Sequence, residues 1–356
     1  MRLLAGLVLQ DGDALPTRTA QGDRHKTQYK PAGTERQALR SDGNHDPVWY
    51  KEINMAKLAK VCVVGSANVD LTVFTPRLPR PGETLAGRQI HLGFGGKGAN
   101  QAVMAARLGA SVSLIAKIGD DVFGQSMLAN LKARGIDITH IRIDRENATG
   151  VAAIVVDDEA QNCIIAVPGA NGSLAPKDVR DFSNVIRSAD VLLCQLETPI
   201  DAILEAFRVA RASGVMTILN PAPAMTLPDE LIRLADLCVP NETELELLTG
   251  RTLGTLDEIR AAGQALQARG PHTVIVTLGD RGALLLGKDG QNEHFHAVPV
   301  AAVDPTGAGD AFIGSLAVFL VEGMSLPEAV QKANRAAAQS VTRKGTQSAF
   351  PTREEI

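Results

Sequence analysis

Residues 304–310, with the sequence DPTGAGD, place a carboxylate directly after a run of small residues. Gly307, Ala308 and Gly309 leave their backbone N–H groups unshielded, and the apolar stretch that follows predicts a buried helix whose N-terminus would attract phosphate. Asp310 could accept the proton of an attacking alcohol while these amides hold the charge that develops on a transferred phosphoryl group. The pattern therefore favours phosphoryl transfer to a hydroxyl group.

The same seven residues could also form an ordinary glycine-rich turn with a stabilising acidic residue in the first turn of a helix. A second segment, residues 95–101 (GGKGANQ), bears on this choice because its exposed amides, ammonium group and amide side chain suit sugar hydroxyls. Asn68 and Asp70 follow the first predicted strand, at the end where open α/β sheets bind ligands. Taken alone, these two residues could instead bond the local backbone of a turn.

Residues 93–98 also match the G-x-G-x-x-G pattern of dinucleotide-binding folds, with Asp120 near the position expected for a ribose-binding acid. The match is weak, because the preceding residues do not form a clean buried strand. A Walker A loop is absent from this segment, since Lys97 is followed by Gly98 and not by Ser or Thr.

Composition limits the classes of protein to consider. With 356 residues, 45% of them apolar, the chain can build one large α/β domain with an appended element, or two smaller domains. A net charge of −4 without a basic stripe argues against a nucleic-acid partner, and no apolar run is long enough to span a membrane. The cysteines are widely spaced and predict reduced core residues of a cytoplasmic protein. They are Cys62, Cys163, Cys194 and Cys238.

Residues 1–54 differ from the rest of the chain in being polar and without sustained periodicity. Met55 leads straight into an apolar strand, so we expect either that Met55 is the natural start or that the preceding residues are a disordered extension. A targeting role is not favoured, because the segment carries many acidic residues. Residues 55–356 are then expected to form the main domain.

From Val61 onward, short β-branched runs alternate with helical patterns, which predicts a mainly parallel sheet covered on both faces, a three-layer α/β sandwich. The predicted strands are 61–65, 111–116, 191–196, 216–219, 237–239 and 273–277, and the predicted helices include 99–108, 122–134, 200–212 and 256–268. Two stretches, near 71–93 and 150–167, contain strands without helices between them. They predict a small β-sheet lid with a ligand cleft beneath it.

Five segments in this order resemble the PfkB carbohydrate kinase family, and the resemblance runs from about Val61 to the C-terminus. They are residues 65–70, 95–101, 220–224, 241–244 and 304–310. The resemblance implies ATP-dependent phosphorylation of D-ribose at its 5-hydroxyl, giving ribose 5-phosphate and ADP. It leaves 2-deoxyribose, or another sugar or nucleoside of the family, as an alternative.

The resemblance also implies roles for individual residues. Asp310 would be the general base, and the amides of Gly307, Ala308 and Gly309 the anion hole. The sugar would be held by Asn68, Asp70, Gly96, Lys97, Asn100, Glu197 and Asp310. The nucleotide would be held by Asn241, Thr277, Gly279, Gly309 and Asn334. Glu244 would bind Mg²⁺ through water, although Asn241 and Glu244 also fit a plain helix cap.

Members of this family also bind a monovalent cation, usually K⁺, beside the anion hole. The matching positions are Asp304, Thr306, Ser340, Arg343, Gly345 and Ala349. This chain departs from the family pattern twice, with Pro305 where Thr is common and Ala349 where a Ser hydroxyl often helps hold the cation. Proline stiffens the turn and removes one donor, so these departures bear on the affinity of the cation.

The choice between ribose and 2-deoxyribose rests on few positions. Thr198 and the segments 241–250 and 345–348 resemble deoxyribose-phosphorylating relatives. Asn68 favours ribose, because an amide at this position can serve the 2-hydroxyl and would lose a partner without it.

The predicted lid also bears on assembly. A small sheet with one apolar face is too thin to be stable alone. We therefore expect it to pair with its copy in a second subunit, giving a homodimer through the lid.

Overall fold

The computed structural model describes residues 58–159 and 161–356, so the expectation for residues 1–54 lies outside the described residues. The described residues form thirteen strands. In chain order they are β1 (Lys60–Val64), β2 (Asn68–Phe74), β3 (Gln89–Gly95), β4 (Ser111–Gly119), β5 (Ile141–Asp144), β6 (Gly150–Val156), β7 (Asn162–Val167), β8 (Val191–Cys194), β9 (Met216–Leu219), β10 (Leu237–Cys238), β11 (Thr273–Thr277), β12 (Ala283–Leu286) and β13 (Asn292–Phe295).

The same part of the chain forms ten α-helices. They are α1 (Lys97–Arg107), α2 (Val122–Ala133), α3 (Pro176–Asp181), α4 (Ser183–Ser188), α5 (Ile200–Ala212), α6 (Asp229–Leu234), α7 (Glu242–Thr249), α8 (Leu256–Gln267), α9 (Ala308–Val321) and α10 (Leu326–Ser340). Short 3₁₀ turns occur at Gly169–Ser173, Gly279–Arg281, Lys288–Gly290 and Arg353–Glu355. Within the described ranges, no helix combines the length and the apolar character needed to cross a bilayer.

The main sheet has nine strands in the order β13-β12-β11-β10-β9-β8-β1-β4-β5. Its strands are parallel except at one edge, where β12 is antiparallel to both β11 and β13. Alternation along β1 shows how the layers form: Val61 and Val63 join one core cluster, and Cys62 and Val64 join the other. Residues of α1, α2, α9 and α10 cover the first face, and residues of α3 to α8 cover the second. The prediction of a three-layer sandwich is confirmed.

A second sheet has four strands in the order β3-β2-β6-β7 and forms the lid. Strand β2 is parallel to β6, and the two outer pairs are antiparallel. Because β2 starts at Asn68, both Asn68 and Asp70 belong to the lid itself and are not turn residues. Every residue of β7 is exposed, so the prediction of a core cysteine is wrong for Cys163.

The register of the lid separates its side chains into two faces. Leu71 lies opposite Leu92 and Ala153, and Ala153 lies opposite Ile165, so these residues share one face. We call this the lid apolar face, and its members are Leu71, Val73, Ile90, Leu92, Ala153, Val155, Cys163 and Ile165. Asn68, Asp70 and Thr72 alternate with them and point to the opposite face.

Candidate active site

Asp310 lies in the first turn of α9 and is only 7% exposed. Asn100 Nδ2 donates to Asp310 Oδ2 at 2.9 Å, and Gln101 Nε2 donates to Asp310 Oδ1 at 3.0 Å. Burial raises the pKa of the Asp310 carboxyl, while Lys97 and the two amide donors act in the opposite direction. Asp310 is therefore a carboxylate held in one orientation by neutral donors, as a general base requires.

The loop before α9 depends on Gly307, which adopts φ = 81° in the left-handed region. A Cβ added there would lie 2.5 Å from Thr346 Cγ2, so a side chain meets both backbone strain and a steric clash. The amide of Ala308, one of the three predicted for the anion hole, instead donates to Pro305 O at 3.2 Å. Helix geometry leaves the amides of Gly309 and Asp310 without partners within α9, so they can face an anion.

Helix α1 begins at Lys97 after Gly96, whose φ is 86°. A Cβ on Gly96 would lie 2.7 Å from Asn68 N, so this glycine lets α1 begin against β2. The backbone amide of Lys97 donates to Glu197 Oε2 at 2.9 Å, and Ser66 Oγ donates to the same oxygen at 2.5 Å. The Glu197 carboxylate is thereby fixed at the start of α1.

The Lys97 ammonium lies among carboxylates. Burial acts to lower its pKa, but Asp310, Glu197 and Glu244 more than offset this, so the pKa of Lys97 is raised. Lys97 therefore stays charged, and its field favours the ionised form of Asp310.

On the lid side of the site, Asn171 fixes the amide of Asn68. Asn171 Nδ2 donates to Asn68 Oδ1 at 2.7 Å, and Asn171 Oδ1 accepts from the amide of Ala67 at 2.9 Å. One of the two acceptor sites of the Asn68 oxygen is thus used within the protein, and its NH₂ group is the donor that it can offer to a ligand. Burial, with Glu197 and Asp310 nearby, raises the pKa of Asp70 to about 6.

The predicted nucleotide residues lie at the ends of α7 and β11. Asn241 caps α7: its Oδ1 accepts from Glu244 N at 2.8 Å, and its own N–H donates to Glu244 Oε2 at 2.9 Å. The helix-cap interpretation of this pair is therefore realised in the fold. Thr277 pairs with Asn241 through a parallel bridge, and Gly279 follows with φ = 58°. Asn334 lies on α10, where its Nδ2 donates to Phe295 O at 3.4 Å.

Glu244 is 5% exposed, and burial raises its pKa. In the part of the chain that the structure describes, no three His, Cys, Asp or Glu side chains cluster as metal ligands. A single carboxylate fits Mg²⁺ that keeps its waters and is held largely by substrate phosphates.

Two of the residues predicted to hold a monovalent cation bond to a third, Asp304. Asp304 Oδ1 accepts from the amide of Thr306 at 3.0 Å, and Oδ2 accepts from the amide of Gly345 at 2.9 Å. These bonds outweigh burial, so the pKa of Asp304 is lowered. The structure thus brings the two loops of this set together, and their carboxylate and carbonyl oxygens are donors that suit a hard cation.

The other members of this set are placed as follows. Ser340 ends α10 with its hydroxyl bonded to Ala337 O at 2.8 Å, and Ala349 is buried. The side chain of Arg343 is turned to an ion pair with Glu355, which leaves only its backbone for a cation.

Five residues outside the predicted set contribute to the site. Gln101 stands in the segment 95–101 and donates to Asp310, and the other four are Ser66, Asn171, Gln195 and Gln347. Gln195 Nε2 donates to Gln101 Oε1 at 2.6 Å, and Gln347 Nε2 donates to Asn100 Oδ1 at 3.0 Å. Their contacts cross 94 to 247 positions of the chain, so no local spacing pattern could reveal them. The sequence marks these residues only as polar positions next to apolar runs.

A buried carboxylate at a helix N-terminus, next to an ammonium group and beneath a lid that carries polar side chains, defines a phosphotransferase with an alcohol acceptor. A family model described as pfkB family carbohydrate kinase matches residues 58–353. The chain belongs to this family and is a sugar kinase.

Individual relatives agree with this assignment. The chain is 42% identical over 312 residues to a ribokinase of Mus musculus, covering 86% of this chain and 95% of that protein. It is 41% identical over 297 residues to a deoxyribokinase of Salmonella typhi, covering 83% and 97%. The structure of Arabidopsis thaliana ribokinase complexed with ribose and ATP has a TM-score of 0.80 and 33% identity, covering 84% of this chain and 97% of that one.

Proposed function

We propose that this protein phosphorylates D-ribose at the 5-hydroxyl with ATP, giving ribose 5-phosphate and ADP. The observation that carries the proposal is the buried Asp310 carboxylate, held on both oxygens by Asn100 and Gln101 at the start of α9. The similarity to ribokinases of about this length, one of them solved with ribose and ATP, supports the choice of substrates.

In the proposed reaction, the sugar lies beneath the lid against Asn68, Asp70 and Glu197. Asp310 takes the proton of the 5-hydroxyl as this oxygen bonds to the γ-phosphorus, and the bond from that phosphorus to the bridging oxygen breaks to release ADP. The amides of Gly309 and Asp310 at the start of α9 hold the charge of the transferred group. Positioning and charge stabilisation supply most of the acceleration.

We propose that the nucleotide lies along Asn241, Thr277 and Gly279 and reaches toward Asn334. Mg²⁺ would supply charge neutralisation on the phosphates, with Glu244 bound to it through water. K⁺ would lie against Asp304 and the carbonyl groups of the loop that contains Gly345, where it would hold that loop in place.

The second candidate substrate is 2-deoxyribose, because a deoxyribokinase is about as similar to the chain as the ribokinases are. The contact between Asn171 and Asn68 favours ribose. It leaves the Asn68 NH₂ as a donor toward the sugar, and a donor without the 2-hydroxyl oxygen would stay unpaired.

We also propose that two subunits pair through the lid apolar face. Ile90 and Ile165 on this face are 65% and 63% exposed, and a four-stranded sheet with an uncovered apolar face is a typical interaction surface. A cytoplasmic location fits the three buried, unpaired cysteines Cys62, Cys194 and Cys238.

The experiment that tests the function is coupled ADP release with ribose and 2-deoxyribose in parallel, each with Mg²⁺, in K⁺ or in a large organic cation. We expect kcat/KM to be higher for ribose and to rise with K⁺. A preference for 2-deoxyribose would make the second candidate correct, and absence of turnover with both sugars would contradict the proposal.

A further inference from the structure

A chain of side-chain hydrogen bonds leads from Asp310 to the far side of α1. Asn100, which donates to Asp310, accepts at its own Oδ1 from Gln347 Nε2 at 3.0 Å. Gln347 Oε1 accepts from Asn130 Nδ2 at 2.9 Å, and Asn130 Oδ1 accepts from Arg134 Nε at 3.0 Å. The chain thus joins α9, α1, the loop after α10, and α2.

This chain has a fixed direction. A guanidinium group only donates hydrogen bonds, and an ionised carboxylate only accepts them, so Arg134 and Asp310 set the two ends. Each carboxamide between them must accept on the Arg134 side and donate on the Asp310 side. Asn100 is 6% exposed and Gln347 is 2% exposed. If one of these carboxamides rotated by 180°, its lost hydrogen bonds could not be replaced by bonds to solvent water.

The charged groups around Asp310 show why this direction matters. Lys97 favours the ionised Asp310 carboxylate, while the carboxyl groups of Glu197, Asp70 and Glu244 lie close enough for their negative charge to oppose it. If the Asn100 carboxamide rotated by 180°, its carbonyl oxygen would face Asp310 and would repel the negative charge of the carboxylate. The NH₂ group of Asn100 must therefore face Asp310.

We propose that Gln347 is a positioning residue for the reaction: it holds the Asn100 carboxamide in the orientation that keeps Asp310 fixed and ionised. The proposal rests on the proposed function, in which Asp310 is the general base. Gln347 lies two residues from Gly345, whose amide binds Asp304, so the loop that contains Asp304's partner also orients the base.

Two substitutions of similar size separate this role from packing. Gln347→Met removes the hydrogen bonds, and Gln347→Glu replaces the donor with a carboxylate that attracts the NH₂ of Asn100 and turns its oxygen toward Asp310. The same changes at Gln331, an exposed residue of α10, are the matched controls. All four variants and the parent chain are assayed with ribose, and activity is expressed per folded molecule.

We expect Gln347→Met to lower kcat about tenfold, with the KM for ATP changed less than about twofold. The acidic limb of its kcat profile should move up by about half to one pH unit, because a donor to the ionised base is weakened. Gln347→Glu should lower kcat further, and the Gln331 variants should match the parent chain. Parent-level kcat per folded molecule and an unmoved acidic limb in Gln347→Met would overturn the proposal.

A second measurement does not depend on turnover. In isotope-labelled protein, the side-chain amide signals of Asn100 and Gln347 should shift together as Asp310 titrates, and these shifts should vanish in Asp310→Asn. A Gln347 signal that ignores this titration would contradict the proposed role. Absence of turnover in the parent chain would contradict the proposed function alone, and the amide signals would still decide the role of Gln347.

Discussion

At the scale of single residues, the aspartates of the site differ in pKa because their surroundings differ. Burial raises the pKa of Asp310 and brings that of Asp70 to about 6, while hydrogen bonds lower the pKa of Asp304. Asp310 must be ionised to take a proton, and an ionised Asp70 accepts from sugar hydroxyls more strongly than a protonated one, so kcat/KM should rise with pH through their pKa values.

Asp310→Asn tests the base directly. The substitution keeps the size of the side chain and removes its ability to take a proton. We expect kcat to fall by about 10²–10⁴-fold, while ATP binding measured by calorimetry stays within about threefold. Asp201→Asn, at an exposed position in the first turn of α5, is the control. Normal turnover in Asp310→Asn would exclude it as the base.

Asp70→Asn tests how much the buried charge of Asp70 destabilises the folded protein. Because the folded state raises the pKa of Asp70 from 3.8 to about 6, it binds more protons than the unfolded state between these values. Stability is therefore lost as pH rises through this window. At neutral pH we expect Asp70→Asn to raise the free energy of unfolding by about 1–2 kcal/mol, while sugar affinity falls.

Urea unfolding at neutral pH and below about pH 3 makes the comparison, because both states of the parent chain hold the proton at the lower pH. The gain in stability should disappear there. An Asp70→Asn variant that is less stable than the parent chain at neutral pH would contradict the assignment.

At the scale of elements, the site is assembled where three helices and the lid meet the main sheet. Helix α1 carries Lys97, Asn100 and Gln101, α9 carries Asp310, and Asn241 opens α7. The turns before α1 and α9 bring backbone amides to the site. Glycines at Gly96 and Gly307 allow these two close approaches.

Gly307→Ala tests the turn before α9. Alanine there meets positive φ and the side chain of Thr346, so the amides of the anion hole should move and kcat should fall at least tenfold, by about 1.4 kcal/mol or more. Gly109→Ala is the matched control, since Gly109 has φ of 86° with nothing within 4 Å of the added Cβ. It should lose about 1 kcal/mol of stability with unchanged kcat. Equal kcat in the two variants would show that the clash with Thr346 does not affect catalysis.

The sequence predicted six of the nine strands of the main sheet from their apolar runs. Strands β9 and β11 and helix α5 have the predicted bounds, and the other predicted elements differ at their ends. Strands β5, β12 and β13 were not predicted. The segment NEHF of β13 is polar and half exposed, so it lacks the pattern of a buried strand, and β12 depends on tertiary pairing for its strand form.

The candidate site was predictable as far as its residues lie in short contiguous motifs. Lys97, Asn100 and Asp310 stand in such motifs, and the fold brings them together. Asn171 and Gln195 stand in none. Their role is to orient other amides across long separations in the chain, and only the folded structure can show such a contact.

At the scale of the whole molecule, the two faces of the lid differ in character. One face of the lid carries Asn68 and Asp70, and the other is the lid apolar face. A substitution on the lid apolar face should therefore alter assembly without contacting Asn68 or Asp70.

Ile165→Lys tests assembly. It places a charge at the centre of the lid apolar face, so we expect sedimentation at micromolar concentration to show monomer where the parent chain shows dimer. Ile164→Lys is the control. Ile164 is the neighbouring residue in the chain and is 56% exposed, but its side chain lies on the opposite face of the lid. A monomeric parent chain, or dimer retained in Ile165→Lys, would contradict pairing through this face.

The four cysteines give the molecule a built-in reporter. Burial raises the pKa of Cys62 and Cys238 to about 12 and raises that of Cys194 as well, so these thiols resist alkylation in the folded protein. Cys163 alone among them is exposed, and it sits on the lid apolar face. In the proposed dimer, the rate at which a thiol reagent labels Cys163 in the native chain would therefore measure how often the two lids separate.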